Sequence, residues 1–296
     1  MIKLGILDFD TSHAEEFTKR FNRNAIAEDQ WVEGAEVVIG CPGQSQISPD
    51  LVPKYTEGMK KLGVALVDKP EDLIGKVDGM LIEAVDGSVH WERVRPFLEA
   101  GIPCFVDKPF ACSVADAKKI IDLSEKKKLP LFSSSSLRYA PELVEFQKDK
   151  KRQVIGAISY GPCSQHPRNP GLYHYGIHAV EILYTLMGPG CKQVETVTTK
   201  EVDMVTGTWA DGRVASVRGI RPGGSYGAFV FNEKGTALPV AISTKYIYRE
   251  LLKQIVEMFK TGKSPLDPLI TLEIVAFIEA SNKSSVNHGM PETLKI

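Results

Sequence analysis

The sequence predicts an α/β protein in two parts. Residues 1–134 form a parallel-sheet domain, and residues 135–296 an α+β domain on a mostly antiparallel, open sheet. Three observations predict this. Up to Ser133, short and nearly continuous apolar runs alternate with helix-like segments, the pattern of a parallel sheet covered on both faces. After Leu137-Arg138-Tyr139 the rhythm changes to successive strand-like runs without intervening helices. Within that second part, Ala210-Asp-Gly-Arg and Asn232-Glu-Lys-Gly are hairpin turn signals.

The elements follow in order. Residues 3–7 form an apolar strand, 13–21 a helix and 36–39 a second strand. Smaller units lie at 59–62, 64–66 and 71–74, and 79–83 is a fourth strand. An amphipathic helix spans 89–100, a strand 102–106, a helix 114–127 and a last strand 129–133. Four serines at 133–136 read as a solvated hinge. In the second part, strands are expected at 154–159, 194–200, 204–209, 214–218 and 228–232. Helices are expected at 176–186, stopped by Gly188-Pro189-Gly190, at 246–259 and at 270–284. There is no internal repeat.

Composition narrows the classes. An apolar content of 43% and a charged content of 25% are ordinary for a globular protein. A formal net charge of −1 gives no electrostatic argument for nucleic acid or membrane binding, and no apolar run approaches a bilayer span. The chain enters its first strand at once, without signal-peptide architecture, and its five cysteines are scattered. A reduced, cytoplasmic protein without a disulfide framework is expected.

The most informative stretch is Gly101-Ile-Pro-Cys-Phe-Val-Asp-Lys-Pro109. Val and Phe favour a buried strand, and Pro109 ends the ladder because it has no N–H to donate. Lys108 therefore stands at the carboxyl end of a parallel strand, where open α/β sheets bind ligands. The run from Glu99-Ala100-Gly101-Ile102-Pro103 to Asp107-Lys108-Pro109 resembles the Gfo/Idh/MocA family, which includes glucose–fructose oxidoreductase and inositol dehydrogenase. Further matches extend over nearly the whole chain: Asp78-Gly79-Met80-Leu81-Ile82 followed by His90, the crossover Ser136-Leu137-Arg138-Tyr139, and Tyr175-Gly-Ile-His178-Ala-Val-Glu181 before Leu186-Met-Gly188.

The resemblance implies a Rossmann-like, dinucleotide-binding first domain and a second domain that binds substrate and forms the oligomer, a homo-dimer or homo-tetramer. It implies an NAD(P)-dependent oxidoreductase that moves a hydride between nicotinamide and a sugar, polyol or related hydroxy compound. Lys108 would stabilise developing alkoxide charge and His178 would transfer the hydroxyl proton. His174 would assist, standing where the family has an aspartate, four residues before the histidine and on the same helix face. Cofactor contacts are expected from Phe9, Asp10, Thr11, Ser12 and His13 in the first turn and from Cys41 after the second strand. Others are expected from Ala84, Val85, Asp86 and His90 after the fourth strand, Asp107 and Lys108 after the fifth, and Ser136 and Arg138 at the crossover.

Two departures keep other readings open. The first turn reads Gly5-Ile-Leu-Asp8-Phe9-Asp10-Thr11-Ser12-His13, so only Gly5 of a Gly-x-Gly-x-x-Gly fingerprint remains and carboxylates stand near the pyrophosphate position. Ser12 and Glu15 also have capping-box spacing, which would consume N–H groups a phosphate uses. After the second strand, Gly40-Cys41-Pro42-Gly43-Gln44-Ser45 has neither an acid for a ribose diol nor an arginine for a 2′-phosphate, so NAD and NADP are not distinguished. Asp86-Gly87-Ser88 is also a plain helix-start turn. Cys163, His166, His174 and His178 form a candidate metal set, although no metal is the favoured expectation. The alternatives are a metal-dependent lyase or hydrolase, or a non-catalytic member that binds a sugar or partner.

Overall fold

The computed structural model describes residues 1–148 and 153–296. The chain divides into two compact units. The first comprises Met1–Ala111, Ala115–Ser134 and Tyr248–Pro268; the second comprises Cys112–Val114, Ser135–Ile247 and Leu269–Ile296.

The first unit carries β1 (Ile2–Leu7), α1 (His13–Phe21), β2 (Ala35–Cys41), α2 (Leu51–Lys61), β3 (Ala65–Leu66), β4 (Gly79–Ile82), α3 (His90–Glu99), β5 (Cys104–Val106), α4 (Val114–Lys127) and β6 (Leu131–Phe132). The six strands are parallel and ordered β3-β2-β1-β4-β5-β6. Strand order reverses between β1 and β4, which sets a ligand-binding crevice at their carboxyl ends. Leu4, Ile6, Leu81, Ile82, Phe105 and Val106 are fully buried, as a sheet covered on both faces requires. Helix α2 spans Leu51–Lys61, where the sequence marks only a small unit at 59–62. Pro53 lies in its first turn, where the missing N–H has no intrahelical partner to lose.

Beyond Ser134 the chain forms α5 (Pro141–Lys148), β7 (Val154–Pro162), α6 (Ile177–Met187), β8 (Cys191–Thr198), β9 (Val202–Trp209), β10 (Val214–Ile220), β11 (Gly227–Asn232), β12 (Ala237–Ala241), α7 (Ile247–Thr261), α8 (Pro268–Val286) and β13 (Glu292–Thr293), all but α7 in the second unit. From Tyr248 to Pro268, which includes nearly all of α7, the chain returns to the first unit. The seven strands run β12-β11-β7-β10-β9-β8-β13, and only the β7–β10 pair is parallel. Both expected hairpins form, with Gly212 and Gly235 at φ +86° and +73°. Strand β12, unforeseen because of Pro239, is an edge strand, where a missing donor is tolerated. Every residue of α6 is buried, so this helix is the core of the second unit. Ser133–Ser136 are all buried, which overturns the reading of a solvated hinge. No helix among the described residues is long and apolar enough to cross a membrane.

Candidate active site

Three neighbouring strands of the first unit end together. The amide of Glu83 donates to Leu7 O at 2.9 Å and that of Asp107 donates to Ile82 O at 2.8 Å, so the ladder holds both acids at the carboxyl edge. Lys108 follows Asp107 and is 8% exposed, its Nζ 4.0 Å from Asp107 Oδ2. Asp107 Oδ2 also contacts His13 Nδ1 at 2.7 Å, and Glu83 Oε2 lies 3.7 Å from the same nitrogen. Burial opposes ionisation of Asp107, yet the charges of His13 and Lys108 prevail and hold its carboxyl low. Burial pushes the Glu83 carboxyl up. His13 is also buried, but Asp107 and the Tyr248 hydroxyl outweigh desolvation and raise its imidazole well above the usual range.

The loop from β1 to α1 departs from a glycine turn in a defined way. Asp8 takes φ +69°, a left-handed conformation that Asp tolerates better than most residues. Its Oδ2 accepts from Arg93 Nε at 2.9 Å, while its buried Oδ1 accepts no hydrogen bond. Gly43 makes room for this carboxylate, because a Cβ there would lie 1.9 Å from Asp8 Oδ1. Desolvation pushes the Asp8 carboxyl up to about 7, against the opposing Arg93 charge. Asp10 Oδ1 accepts from Val85 N at 3.0 Å, and burial raises its carboxyl too. Phe9 is fully buried against Gly40.

The expected capping box does not form. Ser12 adopts helical dihedrals and makes no side-chain cap bond, and Glu15 turns instead to Lys19 at 3.3 Å. The helix start therefore keeps the half-buried Ser12 hydroxyl out of a box, while Thr11 Oγ1 accepts a long bond from His13 N at 3.5 Å, with Asp8 tied to Arg93 and Asp10 to Val85. This arrangement fits a diphosphate at the α1 N-terminus.

Around this edge, Cys41 Sγ points to Asp68 O at 3.7 Å. Asp86 Oδ1 accepts from Ser88 N at 2.9 Å, the cap geometry its spacing suggests. The His90 ring is fully buried between Ala84 O (Nε2, 2.8 Å) and Phe110 O (Nδ1, 3.2 Å), and burial lowers its pKa. His90 thus ties the loop after β4 to the one after β5.

In the second unit, His178 lies in the first turn of α6. Its Nδ1 meets Ser135 Oγ at 2.7 Å, and Ser135 Oγ also accepts from Leu137 N at 3.1 Å. Arg138 donates through Nε and Nη2 to Glu181 Oε2, and Ser135 N donates to Glu181 Oε1 at 3.2 Å. The buried Arg138–Glu181 pair therefore fixes the 135–138 turn against α6, close to His178. Ser136 is buried in that turn. His174 does not share a helix face with His178, because α6 begins at Ile177 and His174 lies in the preceding turn. Its Nδ1 is 3.5 Å from Asn169 Nδ2, and its ring lies 5.6 Å from His166.

The candidate metal donors diverge: Cys163 Sγ contacts Asp203 at 3.4 Å, and His178 turns to Ser135. Among the described residues, the donors that lie within 4.8 Å of one another are those of His13, Glu83 and Asp107. Sequence reasoning passed over Glu83, Arg93, Ser135 and Glu181 as site residues. Glu83 and Glu181 carried a signal: each is a lone acid inside an apolar run, and acids are rarely buried unless paired.

Residues 5–135 match the model of a family described as an oxidoreductase family with an NAD-binding Rossmann fold. The rhizopine catabolism protein MocA of Rhizobium meliloti is 28% identical over 110 residues, 36% of this chain and 34% of that protein. The chain spans about a third of the length of the curated relatives it matches. Among solved structures, GenD2 from gentamicin A biosynthesis, in complex with NAD, is similar over 100% of this chain and 97% of its own, with a TM-score of 0.79 at 14% identity. The myo-inositol dehydrogenase of Lactobacillus casei, in complex with NAD(H) and myo-inositol, is similar over 100% and 97%, with a TM-score of 0.77 at 13% identity. At such identities the likeness is one of fold. Residues 5–135 thus resemble the NAD-binding Rossmann segment of the Gfo/Idh/MocA oxidoreductase family, and the first unit carries the six-stranded parallel sheet such a fold requires.

Proposed function

We propose that the protein is an NAD(P)-dependent dehydrogenase of a sugar, polyol or related hydroxy compound. The observation that carries this reading is Lys108, held beside Asp107 at the carboxyl end of β5 in a segment matched to an NAD-binding family. The similarity in fold to GenD2 and to a myo-inositol dehydrogenase supports it.

Thr11 and Ser12 hold the cofactor phosphates at the start of α1, with Cys41, Ala84, Val85 and Asp86 bordering the nucleotide. Phe9, Asp10, His13, His90 and Asp107 shape these loops from beneath, and Ser136 and Arg138 set the crossover turn. When bound, the nicotinamide supplies the hydride acceptor or donor. Lys108 polarises the substrate oxygen and stabilises its developing negative charge. His178, oriented through Nδ1 by Ser135, takes the hydroxyl proton on Nε2. His174 assists as a hydrogen-bonding contact to the substrate.

The protein acts as a cytoplasmic homo-dimer or homo-tetramer. Val197, Val214 and Phe229 support this: strand register sets them on one face of the second sheet, all well exposed. A second reading, binding without turnover, is favoured by the Asp8 and Asp10 carboxyls at the phosphate edge. The test is a screen of polyols and sugars with NAD and NADP on the wild type, Lys108→Ala and His178→Ala. Turnover by the wild type and its loss in both variants supports the reading. Undiminished turnover in both overturns the residue roles.

A further inference from the structure

We propose that Glu83 and His13 are positioning residues for Lys108: Glu83 keeps His13 in its imidazolium form, and His13 fixes the Asp107 carboxylate that holds the Lys108 ammonium. The inference rests on the reading that Lys108 acts on the substrate. It concerns how this chain presents that lysine.

Glu83 and Asp107 stand at two adjacent strand ends, held there by the backbone ladder, and His13 opens α1, the helix that follows β1. Glu83 and Asp107 are completely buried and His13 is 5% exposed. Neither oxygen of Glu83 accepts a hydrogen bond, and neither does Asp107 Oδ1. A buried carboxylate without donors is unfavourable by several kcal/mol unless a charge compensates it. The nearest compensating group is His13 Nδ1 at 3.7 Å.

The 2.7 Å contact between His13 Nδ1 and Asp107 Oδ2 requires a proton on that nitrogen, which the neutral Nδ1–H tautomer or the imidazolium supplies, and the second buried carboxyl, Glu83 at 3.7 Å, favours the imidazolium. A neutral ring protonated on Nε2 would set a lone pair against the carboxylate. Two anions, Glu83 and Asp107, then face two cations, His13 and Lys108, and the buried quartet is neutral. Without Glu83, an imidazolium would leave it with a net positive charge. The other groups facing His13 are Phe17, stacked at 4.7 Å, and Tyr248 from α7, edge-on at 5.0 Å. His90 from α3 also interacts with Asp107, but its complete burial lowers its pKa and disfavours a cation there.

His13 takes the short bond on Asp107 Oδ2, and Lys108 Nζ lies 4.0 Å from the same oxygen.

The test is a pH titration of the full chain, without substrate, following histidine ring nitrogens and 13C-methylated lysines by NMR. In the wild type, His13 should remain doubly protonated through pH 8. In Glu83→Gln its midpoint should fall by about one pH unit or more. In His13→Gln the Lys108 midpoint should rise by about one unit, as a neighbouring cation is lost and Asp107 turns wholly to the lysine. A His13 ring that is neutral at pH 7 in the wild type overturns the proposal, whether or not the variants fold. Unchanged midpoints in folded variants do the same, as does a stoichiometric divalent metal on His13, Glu83 and Asp107. Turnover by Lys108→Ala would instead refute the role of the lysine and leave these midpoints as they are.

Discussion

Replacing Asp8 with asparagine should stabilise the protein at neutral pH, although it removes an ion pair. In the fold this carboxyl is lifted from 3.8 to about 7 because burial outweighs Arg93. The folded state therefore keeps a proton that the unfolded chain releases across that range. Stability is lost as pH rises from about 4 to about 7, and the full penalty applies above it. A rise of this size corresponds to about 4 kcal/mol against the charged form. The Arg93 attraction is already contained in that net rise, and Asn Oδ1 still accepts from Nε as the protonated acid does. A net gain of about 4 kcal/mol at pH 8 follows, shrinking to nothing near pH 4. Asparagine also tolerates the φ of +69° at this position. Urea unfolding of both proteins from pH 4 to 8, with slopes compared, measures the difference. A difference that does not grow with pH, or a variant that is weaker at pH 8, would refute the reasoning.

Other consequences are more local. Lys108→Ala and His178→Ala should each lower turnover by about 10²–10⁴-fold, with unfolding midpoints near that of the wild type; steady-state kinetics on a turned-over polyol checks this. Ser135→Ala removes the oxygen at 2.7 Å from His178 Nδ1 and should lower kcat about tenfold with a smaller effect on KM. Arg138→Ala leaves Glu181 buried without its cation and should destabilise the second unit by about 3–5 kcal/mol, read by calorimetry. Restoring neutrality with Glu181→Gln in the same chain should recover much of that loss.

Much of the fold was legible because the first unit follows simple periodicities. The strands before Asp107 are short apolar runs, and the helices 13–21 and 114–127 fall where apolar spacing sets them. The α2 start was hidden because Pro53 and Gly58 look like breakers, although the first turn tolerates one and Glu15 packs closely on the other. At the site, Lys108 could be read from its place before Pro109, and His178 from its motif. The partners of these residues could not. Ser135, Glu181 and Arg138 meet across 43 to 46 positions of sequence, and His13 and Asp107 across 94. Such pairings depend on strand order, which no local window contains. The serine run misled for the same reason: its polarity suggested solvent, but all four serines are buried and Ser135 spends its hydroxyl and amide on His178, Leu137 and Glu181.

The central claim is that the first unit binds a nicotinamide dinucleotide despite the acids in its first turn. A calorimetric titration of the purified protein with NAD, NADH, NADP and NADPH tests it most directly. Saturable binding of one of them at micromolar concentration, tightened in Asp8→Asn as a carboxylate leaves the phosphate edge, is the predicted result. No heat of binding for any of the four at millimolar concentration would contradict it.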